Sequence, residues 1–465
     1  MLTSVFCYVI IFLDKDGVFM KRKKRKLKKN VKRVLVCFII ILLVILCYYL
    51  FLKDSNLFSN INNKENNNGN VIINEIINKI DDDNIDAAFL KWLDNKYGSD
   101  VLTSLNKKID ESNYNKDIWH DIVGDSYNVL LDLYKGNYEN MPNVKVLDKK
   151  DKSILSFVGD VSLADNWYIM PKYDERGKKI FGILSEDTVK MMVDSDLMIV
   201  NNEFTISNRG EKMEGKYYTF RAAPERLNIY KEMGVDLVTL ANNHVYDFGK
   251  DAFYDMLDSL EEYEIPYIGA GRNINEAMRA YYFIVNGYKI SFVNATRAEK
   301  LILTPEATDE DGGVFRCYDT TNFVNVIKKE KETSDYVIAL IHYGREDSHE
   351  LEDVQISSSY EYIEAGADVI VGSHAHVLQG IEFYKNKPII YNLGDFIFNN
   401  ETKDTGIFQI KLDKSGKMSY YFIPALESGE YTKLLDGDEK LDVIKKMNSW
   451  SVNAIINEDG KIEEK

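Results

Sequence analysis

The stretch Gly372-Ser373-His374-Ala375-His376 places two histidines two residues apart, directly after an apolar run from Ala367 to Val371. Because alternate residues at the end of a strand point to the same side, we predict that both imidazoles face one metal ion or two adjacent ions. The chain has six histidines in 465 residues, and His244 and His342 also follow apolar, β-branched runs. We therefore predict that these four histidines converge on one metal site.

Three further polar residues complete a set of side chains that suits a metal. Asp160 and Glu203 each follow a short apolar run, and Asn243 directly precedes His244. Carboxylate, amide and imidazole groups without a thiolate suit Mn, Fe or Zn. A carboxylate shared by two ions would let them clamp the attacking and leaving oxygens of a phosphoryl-type displacement, and a histidine that is not a ligand could protonate the leaving oxygen. Each motif alone is also typical of a turn, so the prediction of one or two divalent ions depends on their joint occurrence.

The elements that must position these residues follow an alternation of strand and helix patterns from Ser153 onward. Helical patterns at 186–194, 224–233, 252–263, 322–331 and 353–364 separate short apolar runs, and three hairpins are predicted to turn at Asn286-Gly287, near Asn386, and at Lys414-Ser415-Gly416. This order predicts an α/β core with mixed sheets, and open α/β sheets bind ligands where their strands end. His120, which lies on a predicted helix, is interpreted as structural or solvent-facing.

The N-terminal region predicts a membrane anchor. Ten Lys or Arg occur among residues 21–33, and residues 34–52 form an uninterrupted apolar run. At about 1.5 Å per residue this run spans roughly 28 Å as a helix, close to the thickness of a bilayer core. The positive-inside rule predicts that 1–33 is cytoplasmic, that 34–52 crosses the cell membrane once, and that the C-terminal body is extracellular. A cleaved signal peptide is the competing interpretation, which the length of the run and the lack of an A-x-A-like site disfavour.

Three other segments are predicted from composition and periodicity. Residues 53–83 are rich in Asn and are typical of a flexible linker. Residues 84–145 carry helical periodicity, and residues 429–465 are predicted as a C-terminal helical tail.

The charge distribution restricts the partners of the body. The net charge of −16 combines a basic segment, 1–53, with a strongly acidic remainder that holds 46 basic and 72 acidic residues. Such a body would repel phosphate backbones, so nucleic acid is excluded as a partner. Of four cysteines only Cys317 lies outside the N-terminal apolar segments, which excludes an intramolecular disulfide in the body.

Six segments in order carry a family resemblance between residues 153 and 425: F-V-G-D-V-S-L-A, N-N-E-F, L-A-N-N-H-V-Y-D-F-G, H-Y-G-R-E, G-S-H-A-H-V and Y-N-L-G-D-F-I-F. With them the sequence resembles the CapA family of poly-γ-glutamate capsule biosynthesis proteins, whose core looks like a calcineurin-type metallophosphatase. The resemblance implies a mixed β-sheet sandwich flanked by helices over residues 150–428. It does not extend to the helical segment before Ser153.

The resemblance also implies roles for the matched residues. It implies metal ligands at Asp160, Glu203, Asn243, His342, His374 and His376. Asp160 would also count as catalytic, Glu203 would bridge two ions, and His244 would be the acid that does not bind metal. The substrate side would be formed by Asn242, Asp247, Arg345 and Glu346.

Two positions depart from the metallophosphatase pattern. Those enzymes usually place a histidine two residues after the first aspartate, where this chain has Ser162, and an aspartate after glycine where this chain has Glu203 after Asn202. One of the two metal positions is therefore expected to be weak or empty.

Three functions remain open from the sequence. The first is a metal-dependent hydrolase or transferase that acts on a phosphoester or on an anionic polymer such as poly-γ-glutamate. The second is a non-catalytic assembly factor that works with other capsule-synthesis membrane proteins. The third is a polymer-binding module with a vestigial metal cleft. An acidic body needs cations or a local basic patch to hold an anionic polymer, and Arg297, Lys300 and Arg345 are candidates for that patch.

Overall fold

The computed structural model describes residues 71–98, 100–141, 143–299 and 303–465. The predicted cytoplasmic segment 1–33 and anchor 34–52 lie outside these residues, as do Lys300 and most of the predicted linker. Within the described part of the chain, no helix is both long and apolar enough to cross a membrane. Residues 71–77 are helical, so the end of the segment predicted as a flexible linker has regular structure.

The chain divides after Asn106 into two compact units. In the first, helix α1 (Ala87–Tyr97) begins where the carboxylate of Asp86 accepts a hydrogen bond from the backbone N–H of Phe89, a normal N-cap. It buries Phe89, Leu90 and Leu93 on one face. Helix α2 (Asp100–Ser112) follows α1 in the chain.

The described strands of the larger unit form two large sheets and two small two-stranded sheets, which pair β4 with β5 and β8 with β11. In chain order the strands are β1 (Val144–Val146), β2 (Lys152–Val161), β3 (Leu197–Asn202), β4 (Thr205–Ile206), β5 (Arg221–Ala222), β6 (Leu237–Thr239), β7 (Tyr267–Ile268), β8 (Ala270–Gly271), β9 (Tyr281–Val285), β10 (Tyr288–Thr296), β11 (Gly313–Val314), β12 (Tyr336–His342), β13 (Val369–Ser373), β14 (Leu378–Tyr384), β15 (Lys387–Leu393), β16 (Asp395–Ile397), β17 (Lys403–Asp413), β18 (Met418–Glu427), β19 (Thr432–Leu434), β20 (Ala454–Ile456) and β21 (Lys461–Glu464).

Within the described residues, one sheet has seven strands in the order β1-β9-β10-β12-β13-β15-β14. The other has ten, with β20-β21-β18-β17-β2-β3-β6-β7 as its path, β16 beside β2 and β19 beside β18. Both sheets are mixed: β2, β3, β6 and β7 are parallel in one, and β10, β12, β13 and β15 are parallel in the other. The predicted α/β class with mixed sheets is confirmed.

Helices flank this pair of sheets. They are α3 (Ile118–Val123), α4 (Tyr127–Tyr134), α5 (Ile169–Glu175), α6 (Glu186–Val193), α7 (Asn228–Glu232), α8 (Gly249–Glu262), α9 (Thr321–Thr333), α10 (Asp353–Ala365) and α11 (Gly437–Trp450), with four-residue helices at Asn137–Asn140 and Ile274–Ala277 and 3₁₀ turns at Ile180–Gly182 and Pro224–Leu227. The segment predicted as one helix over 224–233 is therefore a 3₁₀ turn followed by α7.

The core is arranged in layers because strand residues alternate between faces. On β10, Ile290 and Phe292 join the cluster between the two sheets, whereas Val293 and Ala295 face a second cluster under α9 and α10. Helices α5 to α8 cover a third cluster on the outside of the ten-stranded sheet. The result is a two-sheet sandwich flanked by helices, with the carboxyl ends of both parallel strand sets at one site.

The predicted helical segment before the sandwich joins the seven-stranded sheet through polar contacts. Ser126 caps α4 and its hydroxyl donates to Asp335 Oδ2 at 2.6 Å. Lys289 on β10 donates to Asp132 Oδ2 at 2.7 Å. His120 lies 2.9 Å from the carbonyl of Asn286 and stacks on a tyrosine ring, which agrees with its interpretation as structural.

The C-terminal region contains the predicted helix, α11, but also three strands that the sequence pattern did not indicate, of which β19 pairs antiparallel with β18. Strand β21 pairs antiparallel with β18, and β20 pairs with β21. Residues beyond 428 therefore continue the ten-stranded sheet. The strands are too short for their alternation to be recognised in the sequence.

Candidate metal centre

The predicted ligands converge at the carboxyl ends of the parallel strands. Three overlapping groups have ligand atoms within 4.8 Å of one another: Asp160 with Glu203 and His342, Glu203 with His374 and His376, and Asp160 with His376 and Asp395. The strands run slightly further than predicted, so Asp160 lies inside β2 and His342 is the last residue of β12. Both sheets thus supply side chains to a single cluster.

Close backbone packing and strained histidines hold these loops in place. A Cβ at residue 159 would lie 1.8 Å from the carbonyl oxygen of Gly394, so only glycine fits before Asp160. His374 and His376 have positive φ angles of 97° and 58°, which are uncommon for residues with a side chain. The backbone N–H of His374 donates to Asp160 Oδ2 at 3.0 Å, which ties the loop after β13 to β2.

The contacts inside the cluster link ligands from different strands. His342 Nε2 lies 2.8 Å from Asn243 Oδ1 and 3.4 Å from Glu203 Oε1. His376 Nδ1 lies 3.5 Å from Asp160 Oδ2. All six predicted ligands are therefore brought together, with Asn243 at the edge of the cluster that faces a cavity.

These residues fit a divalent cation. Glu203 Oε1 and His374 Nδ1 are buried and have no hydrogen-bond partner in the described residues. Unpaired buried acceptors are costly, and a cation would satisfy both. The oxygen and imidazole donors, without a thiolate, match Mn, Fe or Zn.

The pKa shifts in the cluster also favour a bound cation. Burial, together with the repulsion between the two carboxylates, raises the pKa of Asp160 to about 7, and burial raises that of Glu203 to about 7. Burial lowers the pKa of His342 to about 3 and that of His374 well below its usual value. Burial would also lower the pKa of His376, but the carboxylates of Asp395 and Glu203 outweigh it and raise the pKa. A bound cation would relieve the cost of ionised, buried carboxylates.

His244 is held beside the cluster by the buried ion pair of Asp247 and Lys216, of which the sequence indicated only Asp247. Its Nδ1 lies 2.8 Å from Asp247 Oδ2, and Asp247 Oδ1 accepts from Lys216 Nζ at 2.8 Å. Lys216 has a side chain only 4% exposed, and it also pairs with Glu299 and donates to Thr304 and to the carbonyl of Asn243. Sequence reasoning missed Lys216 because its loop has no periodicity.

Two more residues of the cluster were missed although they lie in the motifs quoted above. Asn201 Nδ2 donates to Asp160 Oδ1 at 2.8 Å and to Glu203 Oε2 at 3.1 Å. Asp395 Oδ1 lies 2.7 Å from His376 Nδ1. Both follow or end apolar strands, which is the signal that identified the other ligands.

A cavity of about 700 Å³ opens beside the cluster. Two of the four predicted substrate residues line this cavity and two do not. Arg345 and Glu346 line it, together with Arg297. Asn242 and Asp247 are fully buried and lie away from its wall: Asn242 donates to Asn201 and to the carbonyl of Asn202, and Asp247 holds His244. The structure thus places these two behind the site, in supporting positions.

Comparison with known proteins identifies the family of this chain. A family model described as bacterial capsule synthesis protein PGA_cap matches residues 154–400, more than half of the chain. The chain belongs to this family. The capsule biosynthesis protein CapA of Bacillus anthracis is 31% identical over 209 residues, which cover 44% of this chain and 50% of that protein. The PGA biosynthesis protein CapA of Bacillus subtilis is 27% identical over 338 residues, which cover 71% and 86%. The chain thus matches only half of the length of the first of these relatives.

Other likenesses are weaker. A model described as a peptidase of plants and bacteria matches residues 56–134, a small part of the chain. A putative 5′-nucleotidase from Staphylococcus aureus, solved with alpha-ketoglutarate, is 14% identical with a TM-score of 0.38, covering 64% of this chain and 59% of that one. A TM-score this low carries no argument about function.

Proposed function

We propose that this PGA_cap family member is an extracellular, membrane-anchored protein of poly-γ-glutamate capsule biosynthesis or export, and that its buried cluster makes it a metal-dependent hydrolase or transferase of the metallophosphatase type. The substrate is a phosphoester or an amide-linked anionic polymer such as poly-γ-glutamate. The names of its CapA relatives support the pathway. The observation that carries the enzymatic part is that two buried atoms, Glu203 Oε1 and His374 Nδ1, have no hydrogen-bond partner among the described residues although they lie within a cluster of carboxylates and imidazoles.

Divalent ions, Mn, Fe or Zn, would be held by Asp160, Glu203, Asn243, His342, His374 and His376. Such ions supply a Lewis acid and lower the pKa of bound water. The chain's own groups do the rest. Asp247 occupies Nδ1 of His244, so Nε2 is the nitrogen that can give a proton to a leaving oxygen. Arg297 and Arg345 in the cavity offer positive charge to an anionic substrate inside an otherwise acidic body.

The test combines metal content with turnover. The full-length protein, its His374→Ala/His376→Ala variant and a His120→Ala control would be analysed for bound Mn, Fe and Zn and assayed on p-nitrophenyl phosphate, bis-p-nitrophenyl phosphate and poly-γ-glutamate. We expect metal and activity in the first and third proteins and loss of both in the double variant. Equal rates in all three proteins would refute the catalytic role.

A non-catalytic role in polymer assembly or binding is the second candidate. It is favoured by Ser162, which stands where metallophosphatases usually carry a histidine and whose buried hydroxyl has no partner in the described residues. This role predicts that the double histidine variant still supports capsule formation in cells. Capsule loss in that variant, with normal protein levels, would exclude it.

A further inference from the structure

A second cavity, of about 230 Å³, reaches the cluster from the side of His244 and His376. Its wall is aromatic, with Trp167, Tyr168, Tyr218, Phe220 and Phe398. Glu346 lines both this cavity and the one of about 700 Å³, so the two cavities are neighbours. We call the smaller one the aromatic cavity.

Ring contacts connect the protein surface to the histidines of the site. Tyr218 lies 4.7 Å from the ring of Tyr217 and 5.8 Å from that of Trp167, and Trp167 lies 5.0 Å from Phe220. The chain of contacts then reaches the site, because Phe220 is 4.5 Å from His244. Its outer end is open to solvent, since Tyr217 is 90% and Tyr218 is 53% exposed. Contiguous exposed aromatic groups beside a reactive site are typical of a ligand-binding surface.

Trp167 also places an indole N–H in this wall. Its indole Nε1 is buried and has no acceptor among the described residues. A buried indole N–H usually finds a partner. Because this nitrogen has no exposed surface, a small rotation of the indole would be needed before an acceptor oxygen on a ligand could supply one.

The geometry of the rings and the charge of the rim select the ligand class. The plane of Trp167 makes angles of 77° with Tyr218 and 67° with Phe220, so these rings form a corner and not a parallel slot for a flat base. A corner suits a saturated ring, which presents C–H groups on more than one side. Amides and charged groups that can bind hydroxyls complete the wall: Asn399, Asn400, Glu401, Lys403, Asp347 and Glu346. With three carboxylates against one lysine, this rim disfavours an anionic ligand.

We propose that the aromatic cavity binds a neutral pyranose ring. Its aromatic corner contacts the C–H faces of the sugar, and its polar rim contacts the hydroxyls. Because His244 lies at the inner end, a hydroxyl oxygen of the bound sugar faces the proposed acid. That this sugar is the alcohol portion of the substrate rests on the proposed function, whereas binding of the sugar does not.

Binding can be measured by tryptophan fluorescence, with N,N′-diacetylchitobiose and methyl β-D-glucopyranoside as probes and adenosine as the flat-ring comparison. The proteins are the full-length chain, Tyr218→Ala, Tyr218→Phe, Trp167→Phe and the control Phe181→Ala, an exposed aromatic residue away from the cavity. We expect a saturable change with the sugars at about millimolar dissociation constants. Tyr218→Ala weakens binding by about fivefold to tenfold, as loss of one aromatic contact implies. Trp167→Phe removes most of the signal.

The remaining outcomes decide the proposal. Tyr218→Phe, which keeps the ring, and Phe181→Ala bind like the unchanged protein. Absence of saturable binding by either sugar, equal affinity in Tyr218→Ala, or preferential binding of adenosine would each overturn the assignment. Loss of metal in a His374→Ala variant, which leaves the lining of the aromatic cavity unchanged, with sugar binding retained would separate this cavity from the fate of the catalytic proposal.

Discussion

Replacing Lys216 with methionine should destabilise the protein and damage the site together. The side chain of Lys216 is 4% exposed and its ammonium contacts Asp247, Glu299 and the hydroxyl of Thr304. Methionine has a similar length but no charge, so the change leaves Asp247, which is fully buried, without its cation. Asp247 would then hold His244 less firmly, because its other oxygen is the one that contacts the imidazole.

The size of the effect follows from burial. Removing one partner of a buried ion pair costs about 3–5 kcal/mol, since the remaining charge is left uncompensated. Glu299 keeps some contact with solvent, with 12% of its side chain exposed, so we expect the lower end, about 3 kcal/mol. At roughly 2 °C per kcal/mol for a unit of this length, the unfolding midpoint should fall by about 6 °C.

The fall in the unfolding midpoint can be measured by thermal unfolding of the unchanged protein, of Lys216→Met and of the control Lys190→Met. Lys190 pairs with Asp194 on the surface, where both side chains are more than half exposed, so its loss should leave the midpoint unchanged. Adding Glu299→Gln to Lys216→Met should recover part of the loss, because it removes one of the two unpaired carboxylates. A fall of less than about 1 °C in Lys216→Met, or no recovery in the double variant, would refute the view that this lysine compensates buried charge.

Three other predictions concern the same unit. Asp160 and Glu203 have folded-state pKa values raised to about 7, so the folded protein without metal keeps their protons and its stability should fall as pH rises from about 4 through 7. Unfolding midpoints measured with EDTA and with Mn²⁺ should therefore diverge as pH rises. Parallel curves would contradict this prediction. Asp395→Asn should weaken metal binding by about tenfold or more without changing the number of ions bound, as measured by dialysis and elemental analysis, because it loosens His376. Burial raises the pKa of Cys317 to about 11, so maleimide should label the native full-length protein and its Cys317→Ser variant equally and distinguish them only in urea.

The position of the site could be predicted because strand ends are visible in the sequence. Each candidate ligand follows an apolar run, and the parallel order of β2, β3 and β6 in one sheet and of β12 and β13 in the other brings the ends of these strands to one site. The pairing of the two sheets face to face is a long-range property that no local pattern contains. It is nevertheless what places Asp160 of one sheet within reach of His376 of the other.

The supporting residues were harder to predict for a physical reason. Asn242 and Asp247 lie in the same motif as His244, and sequence spacing does not tell which side chains face the cavity and which face the core. The structure buries both completely. Lys216 comes from a loop that is 27, 31 and 88 residues away in sequence from Asn243, Asp247 and Thr304, which it contacts, and an isolated lysine in a loop is normally solvated.

The number of ions depends on how Asp395 acts, and the geometry favours one interpretation. Asp395 pairs in register with Asp160, so it supplies a carboxylate near the position where Ser162 replaces the usual histidine. It could serve there as a ligand, since its oxygen, one of Asp160 and a nitrogen of His376 lie within 4.8 Å. However, its contact with His376 is to Nδ1 at 2.7 Å, whereas Nε2 of the same ring faces Glu203 at 3.9 Å. Metal-binding histidines commonly hold a carboxylate through the nitrogen that does not bind the ion. Asp395 therefore fits best as the group that orients His376 toward Glu203 and His374, which concentrates the strongest binding on that side of the cluster.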